Sequence, residues 1–486
     1  MNKLFDDLVT IQFSTAVTVS PRTIVVAEAF GLGIDEQKDF QVFDEQLITI
    51  YEHDVVYISG DSGGGKSSLL RYLHQKIGGS ILSDMIVDPE EVLVEGVGKT
   101  VEESLKILTR SGLGDAFLML RKYKELSDGQ KYRYLIAKLI SSEASVWFID
   151  EFCATLDRTL AKILAYSIQK LARELNKTLI VATTHNDLFH DLNPSLYISK
   201  SFGGRVRVDR NAPSKLWCSI TPEVSFKLGT YQDYENSGLS FFHYKNDKRP
   251  AGLINVYMAI HNSEIIGALL TRYPALEIRE RNIITDKKYV KNYKVLNEEV
   301  EMISRVVIHS KYRGIGLGTL LVKSYLESPC SKQVVETMAV MAHYNPFFER
   351  AGMTRIRLRD DQKKIPTSYK KLLETLTGLG FDLTLTASLK YNRDHLATLS
   401  EEQKKPLLEI LMKEYNRINH LYDVDNKERL QKVQDTIQKT LSGDYTIEFL
   451  SEVIKKTRRP ELAYCIWFKN AQNNSISTTV SSANQA

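Results

Sequence analysis

Short apolar runs alternate with helix-length segments from about Phe30 to Ile198, and those at Val55–Ser59, Val146–Ile149 and Thr178–Thr183 each stop at polar or glycine-rich residues. Runs without a polar face read as parallel strands buried on both sides, which predicts an α/β domain over residues 1–205. After Ser201 come Gly203–Gly204 and the mixed segment Arg205–Lys215. A new set of strand candidates follows, including Ile254–Ile260 and Ile265–Leu270, and predicts a second domain of α+β type over 216–360. Beyond Arg355 the period becomes helical. Ser400-Glu401-Glu402-Gln403 forms a capping box ahead of Leu407, Leu408, Leu411, Tyr415 and Ile418, which share one helix face, so 361–472 is expected to be mainly helical. The polar, small-residue stretch 473–486 is expected to be disordered.

Length supports several domains, since 486 residues exceed what one core usually organises. Apolar residues at 43% and charged residues at 26% are ordinary for folded proteins. A net charge of +4 does not by itself point to nucleic acid. Cys153, Cys218, Cys330 and Cys465 lie far apart with no C-x-x-C pair, which fits neither a zinc site nor a disulfide framework and suggests a reducing, cytoplasmic setting. No leader pattern and no run of about 18 apolar residues occurs, so no membrane segment is expected.

Gly60-Asp61-Ser62-Gly63-Gly64-Gly65-Lys66-Ser67-Ser68 contains G-x-x-x-x-G-K-[ST] between a strand and the helical pattern Leu69, Leu70, Leu73. Backbone amides of such a loop wrap phosphates, Lys66 reaches the β/γ oxygens, and Ser67 offers a hydroxyl to Mg²⁺. Val146–Ile149 ends in Asp150 and Glu151, a pair suited to holding the metal and polarising water. Leu126-Ser127-Asp128-Gly129-Gln130, Asp157 in Ala154-Thr155-Leu156-Asp157, and His185 after Thr183-Thr184 follow the order of the signature, D-loop and switch histidine. Together these resemble the ABC-type ATPases. The resemblance implies ATP sandwiched in a homodimer, with Glu151, Asp157 and His185 catalytic and with Ser67 and Asp150 on Mg²⁺. Two departures stand out: no glutamine lies between Gln75 and Gln130, so the Q-loop residue is missing or replaced by a residue such as Glu95, and Ser127 follows Lys66 by only 61 positions. Both argue against a transport role. The adenine-stacking aromatic is either Phe30 or Phe40.

In the second domain, Ser304–His309 is an apolar strand leading into Arg313-Gly314-Ile315-Gly316-Leu317-Gly318 and the helical pattern Leu320, Leu321, Tyr325. Alone, a G-x-G turn is structural. Following a strand and opening a helix, this one resembles the pyrophosphate loop of GNAT acyltransferases, and the hairpin Ile254–Leu270, the run Val334–Met341 and Asn345–Met353 extend the resemblance. It implies acetyl-CoA held along Val306, Val307, Ile308 and Arg313–Gly318. Phe348 stands where the family's usual tyrosine sits. Tyr344, one helical turn earlier, is the substitute considered, and Glu299, Glu301 and Glu336 are candidate bases, Glu301 first among them.

The chain as a whole resembles soluble ABC-type ATPases fused to a predicted GNAT domain. One reading is an enzyme in which ATP-driven dimer closure delivers or opens the acceptor of the acyl group. A macromolecular acceptor, nucleic acid or protein, is expected, with Arg355, Arg357, Arg359, Lys363, Lys364, Lys370 and Lys371 as cations that could meet phosphates. The rival readings are an ATP-switched interaction protein that binds coenzyme A without chemistry and, third, a transporter's ATP-binding subunit.

Overall fold

The computed structural model describes residues 2–15, 18–33, 38–201, 206–212, 217–242, 249–358, 366–422, 427–459 and 462–469. The predicted linker glycines Gly203 and Gly204, the basic residues Arg359, Lys363 and Lys364, and the 473–486 tail lie outside them. The described residues divide into two compact units, one of those up to 355 together with 465–469, the other of those within 356–464.

The first unit contains two large sheets. One has six strands in the order Ser80–Ile81, Val146–Ile149, Thr178–Ala182, Val55–Gly60, Leu196–Lys200 and Val206–Arg210. All neighbours are parallel except the last pair. Apolar side chains line both faces, as uninterrupted hydrophobic runs require. Tyr57, Trp147, Ile149, Leu179 and Val181 pack with the long helix Arg158–Glu174. On the opposite face Val56, Ile58, Phe148 and Ile180 pack with Leu69, Leu70 and Leu73 of the helix Lys66–Ile77.

An antiparallel hairpin, Lys3–Thr15 with Lys38–Tyr51, covers that second face through Phe5, Val9, Ile11, Phe43, Ile48 and Ile50. Sequence reading begins its strands at Val55 and misses this hairpin. Its apolar positions alternate with polar ones, but the pairing spans a long connection and contains register shifts, so no short turn announces it.

The second sheet has seven strands in the order Thr354–Ile356, Ala463–Phe468, Val334–Ala339, Val300–Ile308, Glu264–Arg272, Leu253–His261 and Ser225–Gly229. Ala463–Phe468 lies inside the segment expected to be helical, 361–472. It reaches this sheet because Lys469 N donates to Gln333 O at 2.9 Å beside a strand more than a hundred residues earlier, a pairing that no local pattern encodes.

In the second unit, Thr367–Gly378, Leu389–Thr398, Glu401–Tyr422, Lys427–Leu441 and Ile447–Thr457 are helices. Leu372, Leu376, Leu396, Leu407, Leu411 and Leu450 form their core. The Ser400 capping box forms as expected, with Ser400 N donating to Gln403 Oε1 at 2.9 Å and Gln403 N to Ser400 Oγ at 3.3 Å. Among the described residues no helix is long and apolar enough to cross a membrane.

Candidate active site

Gly60 ends the central strand at φ 138°, where a Cβ would fall 1.9 Å from Lys200 O; only glycine lets the loop leave between two parallel strands. Gly65 follows at φ 90° and opens the helix Lys66–Ile77, with Val42 Cγ1 occupying the space a Cβ would need. The loop's amides and this helix N-terminus therefore form an anion cradle. Lys66 is 8% exposed and donates to Asp61 O at 2.6 Å. Burial depresses its pKa, against the pull of Asp150 and Asp61; a buried ammonium held by a neutral carbonyl suits a phosphate.

Ser67 Oγ donates to Asp150 Oδ1 at 3.0 Å, and Asp150 also accepts from Glu151 N at 2.9 Å. These are hard oxygen ligands of the kind Mg²⁺ takes, at the mouth of the phosphate loop. Glu151 adopts φ 48°, left-handed backbone that a side chain occupies at a cost of roughly 1 kcal/mol or more. Its side chain is exposed.

The structure orders the remaining motif residues by local capping. Ser127 caps the helix Asp128–Ser141, and its amide donates to Gln130 Oε1 at 3.0 Å. Asp157 caps the helix Arg158–Glu174 by accepting from Leu160 N at 3.1 Å. Arg158 Nε donates to Asp187 Oδ2 at 3.0 Å, which ties the D-loop to the turn carrying His185. His185 O accepts from the Tyr57 hydroxyl, while its Nε2 is buried without a protein partner. Burial, and then Arg158, depress its pKa, so the imidazole is neutral at neutral pH.

Two open assignments narrow. Phe40 lies on the strand that carries Val42, the residue that meets Gly65, and is 47% exposed. Phe30 ends the helix Pro21–Phe30 and is 77% exposed. Glu95 lies exposed in a turn, whereas Glu91, which sequence reading did not consider, accepts from Tyr134 Oη at 2.6 Å and pairs with Lys138 at 3.1 Å.

In the second sheet, Val300–Ile308 pairs in parallel with Val334–Ala339 only over Val300–Ile303 and Val334–Thr337. Beyond Ile303 the strands part, so Val306, Val307 and Ile308 are paired only with the antiparallel neighbour on their other side. Gly314 and Gly316 adopt φ 94° and 88°, Gly316 caps the helix Leu317–Glu327, and a Cβ on Gly316 would meet nothing within 4 Å. Ile315 and Leu317 are buried, and Gly318 faces Phe347 and Ile308.

The candidate acid–base residues have the following surroundings. Glu301 is wholly buried and accepts from Tyr325 Oη at 2.8 and 2.9 Å and from Lys332 N at 2.9 Å. Glu336 pairs with Arg281 at 2.9 Å, both side chains fully buried. Glu299 is taken by Lys288 at 2.5 Å and Tyr289 at 2.9 Å. Tyr344 is 44% exposed and Phe348 buried. Of the basic residues, Arg355 donates to His343 Nδ1 at 2.6 Å, and Arg357, Lys370 and Lys371 are exposed.

No model of a known protein family matches the chain. Its first part is 31% identical over 163 residues to the ribosome protection protein VmlR of Bacillus subtilis, which covers 32% of the chain and 28% of that protein. Identity to the lactose transport ATP-binding protein LacK of Rhizobium radiobacter is 30% over 168 residues, 28% of the chain and 45% of the relative. The first part of the chain has the ABC ATPase cassette fold. The lipoprotein-releasing system ATP-binding protein LolD of Rickettsia conorii is 25% identical over 190 residues, with 84% of its length covered. A solved dimeric bacterial ABC transporter cassette, MJ0796, aligns at TM-score 0.32 and 15% identity over 42% of the chain and 98% of its own length. The chain spans less than half the length of VmlR and of LacK.

Proposed function

We propose that this chain binds and hydrolyses ATP in a homodimer and that its second domain takes acetyl-CoA for acyl transfer to a macromolecule. The observation that carries the ATPase reading is the 3.0 Å contact between Ser67 and Asp150 beside exposed Glu151. Mg²⁺ held by Ser67 and Asp150 would neutralise charge that develops on the phosphates. Lys66 and the loop amides bind and orient the β- and γ-phosphates, and Glu151 accepts the proton of the attacking water. In a sandwich of two cassettes, Ser127 and Gly129 of one would cap the γ-phosphate held by the other. Glu151→Gln keeps every phosphate and metal ligand, so it should dimerise with ATP and turn over slowly. A strictly monomeric variant at saturating ATP, measured by light scattering, would reject the sandwich.

The acetyl-CoA reading is supported by the parted strands after Ile303 and by the open amide turn at Gly316. The parted strands leave a strand edge for an extended amide-bearing ligand, and the turn suits its diphosphate. Gly316→Asp should weaken acetyl-CoA binding by calorimetry while leaving ATP hydrolysis in place. Labelled acetyl-CoA incubated with cellular RNA, DNA and protein, with and without ATP, identifies the acceptor.

One observation favours the second reading, coenzyme A binding without chemistry: Glu299, Glu301 and Glu336 are all engaged by other side chains. Absence of label in every pool, with acetyl-CoA binding intact, selects it. Relatives named for lactose transport and lipoprotein release keep a transporter role compatible with the cassette. A membrane protein that co-purifies stoichiometrically would select that role.

A further inference from the structure

The glycine loop of the second sheet touches the ATPase cassette at three neighbouring positions. Lys311 Nζ lies 2.7 Å from Asp157 Oδ1, the D-loop carboxylate that also caps the helix Arg158–Glu174. The Arg313 guanidinium donates from Nη1 to Gly114 O and from Nε to Ile308 O at 2.9 Å. Gly314 approaches so closely that a Cβ would sit 3.3 Å from Thr109 O and 3.4 Å from Ser167 Oγ.

Both cassette elements reached this way lead to nucleotide motifs. Asp157 is followed by Arg158, whose bond to Asp187 holds the turn of His185. Gly112, two residues before Gly114, accepts from Arg133 Nη1 at 2.5 Å, and Arg133 Nε donates to Gly129 O of the signature at 3.0 Å. A shift at 311–314 therefore has a bonded route to the D-loop, the switch histidine and the signature. In a sandwich dimer these are the elements that complete the hydrolytic site.

We propose that Lys311 and Arg313 are positioning residues of the ATPase, and that a diphosphate bound on the Arg313–Gly318 loop draws them from the cassette, so that acyl-CoA and ATP regulate each other. The proposal rests on the reading above that this loop takes a diphosphate. The physical basis is competition for two cations. Lys311 is held by the Asp157 carboxylate and Arg313 donates to the carbonyls of Gly114 and Ile308, whereas a diphosphate on the same loop would offer both cations several charged acceptors at once. Linkage makes the effect mutual: if coenzyme A changes the affinity for nucleotide, nucleotide changes the affinity for coenzyme A by the same factor.

The test is calorimetry on the full chain with coenzyme A and a non-hydrolysable ATP analogue, each titrated in the absence and presence of the other, together with steady-state ATP hydrolysis. In the wild type each ligand should shift the other's Kd by about 5-fold or more, in one direction and to one extent. Lys311→Met should bring that factor towards 1 and lower kcat for ATP with little change in KM, because Lys66 and Ser67 are untouched; Lys311→Arg should restore both. Identical Kd values with and without the second ligand overturn the proposal, as does coupling that survives intact in Lys311→Met. If coenzyme A gives no binding at all, the diphosphate reading of the loop fails and the mutual regulation with it. An unchanged kcat in Lys311→Met then overturns the positioning role separately.

Discussion

Ser67 Oγ meets Asp150 Oδ1 at 3.0 Å, joining the first turn of the phosphate-loop helix to the end of a strand 83 positions later. This bond sets the two oxygens proposed to hold Mg²⁺ side by side. Asp150→Asn keeps the size of the side chain and removes its charge. ATP turnover should fall by about 100-fold or more, the order expected when one transition-state charge contact is lost. Malachite-green phosphate release at saturating Mg²⁺ measures this, and turnover within a few-fold of wild type would refute the assignment.

The exit of the phosphate loop depends on one missing Cβ. Gly60→Ala would place a methyl 1.9 Å from Lys200 O at φ 138°. The carbonyl belongs to the neighbouring strand and cannot swing aside, so the change should cost roughly 3 kcal/mol or more. Gly63→Ala, with nothing within 4 Å of the added methyl but φ at 75°, should cost only about 1 kcal/mol. Urea unfolding of the two variants should preserve that order.

Burial pushes the Cys218 and Cys465 thiols up to about 12 and raises that of Cys153 as well. All four cysteines are free, and Cys330 alone is partly exposed. Since the thiolate is the nucleophile, iodoacetamide at pH 8 should label Cys330 first. Peptide mass mapping of the native protein checks it; comparable labelling at Cys153 would contradict the described burial.

His309 should make the protein acid-sensitive. Its Nδ1 accepts from Lys311 N at 3.2 Å, so the folded state uses the neutral ring. Burial, then Lys311 and Arg313, depress its pKa from 6.5, with Glu264 pulling the other way. The unfolded chain therefore takes up a proton first as pH falls. Stability from this group is fully present above pH 6.5 and declines below it towards the depressed folded value. Burial and Arg158 depress His185 in the same direction. The thermal midpoint should drop between pH 7 and pH 5, and less so in His309→Gln.

Arg281 and Glu336 form a fully buried ion pair at 2.9 Å, and Arg281 also donates to Ala275 O and Leu276 O at 2.8 and 2.9 Å. Glu336→Ala leaves a buried guanidinium charge and should destabilise by about 3–5 kcal/mol. Arg281→Met with Glu336→Leu removes both charges and should recover most of that loss. Denaturant midpoints for the single and double variants decide whether the pair serves packing, as its surroundings imply, or catalysis.

The nucleotide motifs were legible in the sequence because each rests on short-range backbone demands. A strand must end, glycines must turn it, and a helix must begin, all within Val55–Ser68, and the same holds for Ile308–Gly318, while Val146–Glu151 is marked by an apolar run that stops at two carboxylates. The capping box at Ser400 and the leucine face after it were readable for the same reason. What sequence reading missed is non-local. The hairpin Lys3–Thr15 with Lys38–Tyr51 and the return of Ala463–Phe468 to the second sheet pair segments with no short turn between them. Glu301 shows the same limit at a single residue. Its place near the strand read as holding a cofactor made it a candidate base, but only the tertiary structure shows that it is buried and accepts from Tyr325 and Lys332. The contact of Lys311 with Asp157 is likewise a product of tertiary structure, because its two halves lie in different domains and each is an ordinary surface charge until the fold brings them within 2.7 Å.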